Sequence, residues 1–297
     1  MSERAGQAAG HVRVEVADRV AAVTLDRPPV NALSSGFYEE ISAALDRIGA
    51  DQGVSVMVLM SASERAFCAG ADVTELAALS GADAEQADTR RQELARRVFG
   101  QLLDLPQPSI AVIDGPAIGA GAVIASCADM RMGSARASFA LPEVAVGRCG
   151  GGSHLMRHLP QGVVRRMFFT AQPLPSEEAL RFGFLDSVHD SAVLPDAALA
   201  RARDIAAHSP LALRLGKAAL NESEPLPVKD GYAVEQRYTL RLARSADSRE
   251  ALAARREKRA PRFTGPLTSA AVPDRHDHGS QRPGRAAHES VRKIHIH

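Results

Sequence analysis

One carboxylate and two backbone amides are the groups in this sequence that indicate a chemical step. Glu143 lies among apolar neighbours in the run FALPEVAVG, residues 139–147. Apolar surroundings raise the pKa of a carboxyl group, which suits a residue that must both accept and donate a proton. The alternative interpretation is that Glu143 caps a helix or forms a salt bridge.

Two stretches with small residues, 67–72 and 116–121, each come directly before a predicted helix. The free N–H groups at a helix start lie at the positive end of its dipole. Two such amides converging on one oxygen would form an oxyanion hole, where losing one donor typically costs about 10²–10³ in rate. Tight packing is the alternative, since Gly119 and Gly121 each cost a helix about 1 kcal/mol and so indicate a close neighbour.

The sequence lacks the motifs of several other kinds of reaction centre. Ser134 has no GxSxG frame around it, and the triple glycine at 150–152 lacks the Lys-Ser/Thr of a phosphate-binding loop. The three cysteines form no CxxC pair, so we expect neither a disulfide framework nor a metal site; they are Cys68, Cys127 and Cys149.

These groups sit on a predicted α/β framework in which strand, turn and helix recur over residues 12–190. The central stretch reads as a buried strand at 110–113, a tight turn at 114–116 and an apolar helix that ends near Cys127. Asp72 and Glu75 have the spacing of a capping box. Further predicted strands are 12–16, 20–25, 54–60, 130–132, 138–140 and 185–188, and further helices are 34–48, 84–104, 163–169, 176–182, 210 onward, 228–244 and 248–259.

Composition changes along the chain predict four segments. They are a flexible N-terminus at 1–10, an α/β core at 11–205, a helical region at 206–265 and a disordered tail at 266–297, which lacks aromatic residues.

The overall composition indicates a soluble globular protein, with 45% hydrophobic and 24% charged residues. The net charge of +1 provides no general attraction to nucleic acid or anionic lipid. We expect no membrane span because there is no run of 18 apolar residues, and no secretory signal because the N-terminal residues are polar. A cytoplasmic location follows as the expectation.

Six stretches resemble, in order and spacing, the enoyl-CoA hydratase/isomerase (crotonase) superfamily. Together they extend over about residues 11–265, and six matches in order are hard to obtain by chance. The stretches are 27–33 (RPPVNAL), 66–72 (AFCAGAD), 114–121 (DGPAIGAG), 141–147 (LPEVAVG), 209–213 (SPLAL) and 257–263 (EKRAPRF).

The resemblance implies a spiral of ββα turns with a C-terminal helical trimerisation region, and a homotrimer or a dimer of trimers. It also implies an acyl-CoA thioester substrate, with coenzyme A as part of the substrate and no separate cofactor. By position, the amides of Ala71 and Ala120 would hold the thioester oxygen and Glu143 would be the acid/base. The implied substrate-binding residues are Arg27, Ala32, Ala69, Gly70, Asp72, Gly119 and Lys258.

One departure from the family pattern bears on the reaction. Hydratases of this family usually carry two glutamates, and the first maps to Val123, which cannot carry a proton. A single carboxylate can take a proton from C2 of a thioester and return it to C4, so Glu143 alone resembles the isomerases more. Loss of one acid/base typically costs about 10²–10⁴ in rate, so hydration would be slow.

Three alternatives stay open. The loop after Glu143 is about two residues shorter than in the usual hydratases, which could bring Arg148, Cys149 and His154 near the site. His154 could then replace the missing glutamate in a 2-enoyl-CoA hydratase, or it could simply open a helix in solvent. The chain could also be a catalytically weak acyl-CoA-binding paralogue. RNA binding is disfavoured by the charge balance.

Overall fold

The computed structural model describes residues 10–78, 81 and 83–263, so the predicted disordered tail at 266–297 lies outside the described residues. The strands are β1 (Val12–Ala17), β2 (Val20–Leu25), β3 (Val56–Ser61), β4 (Ser109–Ile113), β5 (Pro116–Ile118), β6 (Met130–Ser134), β7 (Ser138–Ala140), β8 (Leu174–Pro175) and β9 (Ser187–His189). The helices are α1 (Ser35–Ala50), α2 (Val73–Ala78), α3 (Ala84–Asp104), α4 (Ala120–Cys127), α5 (Gly152–Leu155), α6 (Gln161–Thr170), α7 (Ser176–Arg181), α8 (Leu194–Ala206), α9 (Pro210–Ser223), α10 (Val228–Ala243) and α11 (Ala246–Glu257), with a 3₁₀ helix at Pro142–Val146.

The strands form two sheets. The larger sheet has the order β1-β2-β3-β4-β6-β9, in which β1 and β2 pair as an antiparallel hairpin and the other pairs are parallel. The smaller sheet has the order β5-β7-β8. Parallel pairs need helical crossovers, and α1 and α3 supply them between β2, β3 and β4. The predicted α/β class is confirmed.

The inner strands of the larger sheet are buried on both faces. Val56 and Val58 of β3 belong to one hydrophobic cluster with the buried side of α8. Met57 and Leu59, which alternate with them, belong to the larger cluster that includes α1, α3 and α4. This alternation follows from the two-residue repeat of a strand, and it places α4 inside the main core.

The central stretch differs from its prediction. Residues 116–118 form strand β5 instead of part of a tight turn, and α4 begins only at Ala120. The backbone is extended there because β5 pairs with β7 and also forms a bridge between Ala117 and Cys68. These partners are distant in sequence, so local residue preferences did not reveal them. The strand predicted at 185–188 likewise begins at Ser187.

The C-terminal helices form a separate small cluster in which α9 packs against α10. Lys217 of α9 anchors this pair to the core, because its Nζ donates to Asp129 Oδ2 at 2.7 Å and to the Gln107 carbonyl at 3.2 Å. In the described part of the chain, no helix is both long and apolar enough to cross a membrane.

Candidate active site

The two runs of small residues lie side by side in the structure. The amides of Phe67 and Cys68 donate to the Pro116 carbonyl at 3.0 and 3.3 Å, and the Ile118 amide donates to the Cys68 carbonyl at 2.9 Å. Gly70 completes the approach: a Cβ there would lie 2.6 Å from the Ile118 oxygen and 3.5 Å from the Ala120 nitrogen. Its φ of +83° also favours glycine. The sequence stretches predicted to converge therefore do so.

The amides of Ala71 and Ala120 are unpaired at this junction. Leu33 bonds to both neighbours of Ala71, donating to the Gly70 carbonyl at 2.7 Å and accepting from Asp72 at 3.1 Å. That parallel bridge leaves the Ala71 N–H on the side away from Leu33. Ala120 is the first residue of α4, so its N–H has no partner within the helix. Among the described residues, neither amide donates to another backbone group.

Glu143 reaches this junction from the 3₁₀ helix. A Cβ at Gly119 would lie 2.7 Å from Glu143 Oε1, so the carboxylate lies directly against the residue before Ala120. Its Oε2 is buried and has no hydrogen-bond partner within the described residues. Burial raises the pKa of this carboxyl group. The geometry fits a proton-transfer group, and it shows no salt bridge of Glu143 in the described part of the chain.

Val123 lies one helical turn beyond Gly119 and is buried. The triple-glycine loop, residues 150–152, packs against Val123. A Cβ at Gly151 would lie 2.8 Å from Val123 Cγ2 and 3.0 Å from Leu141 Cδ2. Gly151 has a φ of +76°. At the position of the usual first glutamate, the chain therefore presents a valine methyl against backbone.

His154 is held on the same side of α4 by this loop. Its amide donates to the Gly151 carbonyl at 3.2 Å, and its ring packs edge-on against Phe99, with centroids 5.6 Å apart. Nδ1 is buried and lacks a partner among the described residues. Burial, followed by the nearby charge of Arg157, lowers the pKa of His154, which favours the neutral ring.

Arg148 and Cys149 lie in the loop that follows Glu143, and the structure gives neither side chain a contact with Glu143 among the described residues. The Arg148 amide donates to the Glu143 carbonyl at 2.8 Å, but its guanidinium turns to Asp88 on α3, also at 2.8 Å. Cys149 is exposed. The loop therefore brings Arg148 to Glu143 through its backbone only.

Arg27 connects its own loop to the 66–72 segment. Its guanidinium donates to the Ala32 carbonyl at 2.7 Å and pairs with Asp72 at 2.8 Å. Burial opposes ionisation of Asp72, but hydrogen bonds from Arg27 and from the amides of Glu75 and Thr74 outweigh it and lower its pKa. The Ala69 amide donates to the Val30 carbonyl at 3.0 Å, which keeps this loop beside the others.

Of two expectations about the surrounding residues, the capping box needs correction and the role of Lys258 stays a prediction. Asp72 accepts from the amides of Thr74 and Glu75 as a cap does, but the Glu75 carboxylate bonds to the Ser35 amide at 2.9 Å instead of completing a capping box. Lys258 is exposed at the end of α11, and in the described residues no contact joins it to the predicted site.

Sequence reasoning missed Tyr38 and Asn31. The Tyr38 hydroxyl is buried and unpaired within the described residues, and a polar tip inside the apolar stripe of α1 was the available signal. Asn31 has a φ of +53°, and its side chain bonds to the Arg27 amide, the Ser61 hydroxyl and the Phe67 carbonyl. It therefore organises the loop that carries Arg27.

No cluster of three metal-ligating side chains occurs among the described residues. A surface cavity of about 290 Å³ lies between the triple-glycine loop and α6; it is lined by Gly150, Gly151, Gly152, Ser153, Met156, Val164, Arg165, Phe168 and Phe169.

Comparisons with known proteins agree with this geometry. The family profile described as enoyl-CoA hydratase/isomerase matches residues 15–266. The short-chain-enoyl-CoA hydratase of Clostridium acetobutylicum is 32% identical over 253 residues, which are 84% of this chain and 95% of that protein. The carnitinyl-CoA dehydratase of Proteus mirabilis is 34% identical over 250 residues, 82% of this chain and 94% of that protein.

A crystal structure of an enoyl-CoA hydratase from Bacillus anthracis superimposes with a TM-score of 0.82 at 29% identity, covering 86% of this chain and all (100%) of that chain.

Proposed function

The chain belongs to the enoyl-CoA hydratase/isomerase family, and from that premise we propose that it moves the double bond of an enoyl-CoA with Glu143 as the single base. The family acts on acyl-CoA thioesters, which makes this chain an enzyme of acyl-CoA metabolism. The observation that carries the proposal is the unpaired Glu143 carboxylate against Gly119, with Val123 where a second carboxylate would stand.

The proposed step begins when the thioester oxygen accepts hydrogen bonds from the amides of Ala71 and Ala120. These donors, with the positive end of α4, stabilise the negative charge that develops on that oxygen. Glu143 removes a proton from C2 of a 3-enoyl thioester, which gives a dienolate. The same carboxyl group returns the proton to C4, so the double bond moves from C3–C4 to C2–C3. The step needs no cofactor, because coenzyme A belongs to the substrate.

The burial of Glu143 supports this role. A raised pKa makes the carboxylate a stronger base and brings its proton affinity closer to that of the dienolate. The pKa of Cys68, which burial raises to about 12, leaves that thiol protonated. Glu143 is therefore the group that we assign to proton transfer.

The coenzyme A part of the bound substrate would extend past Arg27. This side chain is partly exposed, and its ion pair with Asp72 holds it in place. Backbone atoms would contact the substrate next to the thioester; they belong to Gly70, Gly119, Ala32 and Ala69. We retain Lys258 as a proposed coenzyme A contact, to be made in an assembled oligomer.

A hydratase is the second candidate, and the buried unpaired Nδ1 of His154 favours it. A neutral histidine could orient water toward C3 while Glu143 acts at C2. The two candidates differ in what they do to a conjugated substrate, because hydration removes the conjugation that isomerisation creates.

The test is to give the purified protein a 3-enoyl-CoA and a 2-enoyl-CoA of equal chain length. We expect the absorbance of the conjugated thioester to rise with the first faster than it falls with the second. Faster hydration of the 2-enoyl-CoA, lost in His154→Gln, would establish the hydratase instead. Turnover of neither would indicate a non-catalytic acyl-CoA binder.

A further inference from the structure

Asn31 is a buried amide side chain that the proposed proton transfer does not use. It is 0% exposed, and its φ of +53° is a conformation that asparagine tolerates better than most residues. Its Oδ1 accepts from the Arg27 amide at 2.7 Å, and its Nδ2 donates to the Ser61 hydroxyl at 2.8 Å and to the Phe67 carbonyl at 3.0 Å. This side chain therefore joins its own loop to the end of β3 and to the 66–72 segment.

The backbone of the same loop continues along the segment as far as Ala71. One residue before Asn31, the Val30 carbonyl accepts from the Ala69 amide at 3.0 Å. Two residues after it, Leu33 forms the parallel bridge to Ala71. Each of these contacts depends on the course of the loop around Asn31, so the place of the Ala71 amide depends on it too.

Phe67 is held from both sides. Its amide donates to the Pro116 carbonyl of β5 at 3.0 Å, while its carbonyl accepts from Asn31. Strand β5 ends at residue 118, and α4 begins two residues later at Ala120. Asn31 therefore holds the segment that contains Ala71 against the strand that leads to the other proposed oxyanion donor.

We propose that Asn31 is a positioning residue for the thioester oxygen, because it fixes the Ala71 amide relative to the Ala120 amide. The inference rests on the proposed function, in which both amides donate to that oxygen. Asn31 acts through the Phe67 carbonyl and is not itself a catalytic residue. The donor Nδ2 is the atom on which this role depends, since Oδ1 bonds within its own loop.

Binding of two unreactive ligands tests the inference without turnover. Hexanoyl-CoA has the thioester carbonyl and no double bond to move, whereas the thioether hexyl-CoA lacks the carbonyl oxygen. We expect the full-length wild type to bind hexanoyl-CoA about 10-fold more tightly, because only the thioester accepts from the two amides. For the same reason, the infrared carbonyl band of bound hexanoyl-CoA should lie at a lower wavenumber than in water.

The Asn31→Gly variant removes the amide side chain, and glycine adopts a positive φ without strain. We expect the ratio of the two affinities to fall at least about 3-fold, and the carbonyl band to move toward its position in water. The ratio cancels any change that affects both ligands equally, such as a movement of Arg27.

Asn221→Gly is the matched control, since the Asn221 Nδ2 also donates to a backbone carbonyl, that of Leu103 at 2.8 Å. This variant should lose stability and keep the wild-type ratio and band. Equal changes in the two variants would therefore overturn the inference, because they would show a general loss of structure.

An unchanged ratio and band in a folded Asn31→Gly protein would also overturn it, as would a wild type that binds both ligands equally. If Asn31→Gly does not fold, Asn31→Asp takes its place. A carboxylate keeps an acceptor for the Arg27 amide and loses the N–H donors to Ser61 and Phe67. The same ratio and band then decide.

The proposed function can fail separately. A thioester preference that depends on Asn31, in a wild type that does not isomerise 3-enoyl-CoA, would refute the proton-transfer role of Glu143 and leave the role of Asn31 intact. Isomerisation by the wild type, with an unchanged preference in Asn31→Gly, would do the reverse.

Discussion

Burial of an ionised carboxylate weakens a folded protein, and Glu143 is such a group, because its buried Oε2 has no hydrogen-bond partner among the described residues. Its pKa is raised in the folded chain, so the folded state holds the proton more tightly than the unfolded state does. The stability that this proton provides is complete below the usual glutamate pKa and is lost as the pH rises through the folded pKa. At neutral pH the charge therefore costs stability.

We predict that Glu143→Gln is more stable than the wild type at about pH 7.5, because the amide has no charge to desolvate. The difference should shrink as the pH falls toward the usual glutamate pKa of 4.5. Denaturant unfolding at several pH values measures it. A variant that is less stable than the wild type at about pH 7.5 would show that Glu143 has a structural partner.

At the scale of elements, the distance between α4 and the 66–72 segment determines where the Ala120 amide lies relative to the Ala71 amide. Gly121 of α4 has the closest approach: a Cβ there would lie 2.3 Å from the Cys68 carbonyl oxygen. No side chain fits in that space, so α4 must move if one is added. Because Ala120 precedes Gly121, such a movement displaces one of the two proposed oxyanion donors.

We predict that Gly121→Ala lowers kcat/KM at least about 10²-fold, the typical cost of losing one oxyanion donor. Gly100→Ala is the matched control, since Gly100 is also helical and has nothing within 4 Å of its Cβ position. This control should gain up to about 1 kcal/mol of stability from helix propensity and keep its activity. Equal activity of both variants would contradict the role given to the α4 start.

Sequence predicted those elements best whose signals are local. The helix α3 has the predicted bounds, and α1 begins at Ser35, one residue after the predicted start, where the Ser34 side chain caps it by accepting from the Phe37 amide. Strand β5 was missed because its partners, Cys68 and β7, come from elsewhere in the chain. The same reason explains Tyr38: α1 alone does not reveal that its hydroxyl has no partner.

In the candidate site, too, some features could be predicted from the sequence and others could not. The order of the motifs indicated Glu143, Ala71 and Ala120, and the structure brings their segments together. The Arg148–Asp88 and Arg27–Asp72 pairs were not predicted. Ion pairs between distant segments depend on side-chain placement, which residue types and spacing do not specify.

At the scale of the whole molecule, we propose a homotrimer or a dimer of trimers. The C-terminal helices leave large apolar side chains exposed, including Leu220 at 65%, Leu240 at 63% and Leu252 at 69%. Exposed apolar surface of this kind marks interaction sites.

We predict a mass by light scattering of three or six chains for the wild type. Leu220→Glu combined with Leu240→Glu should reduce it, whereas Val16→Glu, at an exposed valine of β1, should not. A monomeric wild type at micromolar concentration would contradict this assembly.

The rate of 3-enoyl-CoA isomerisation by Glu143→Gln, beside the wild type and the exposed-site control Glu39→Gln, tests the central claim most directly. The account predicts a kcat lower by about 10²–10⁴ in Glu143→Gln, with KM nearly unchanged, because the amide keeps its place but cannot carry the proton. Glu39→Gln should match the wild type. A Glu143→Gln protein that isomerises at the wild-type rate would contradict the account.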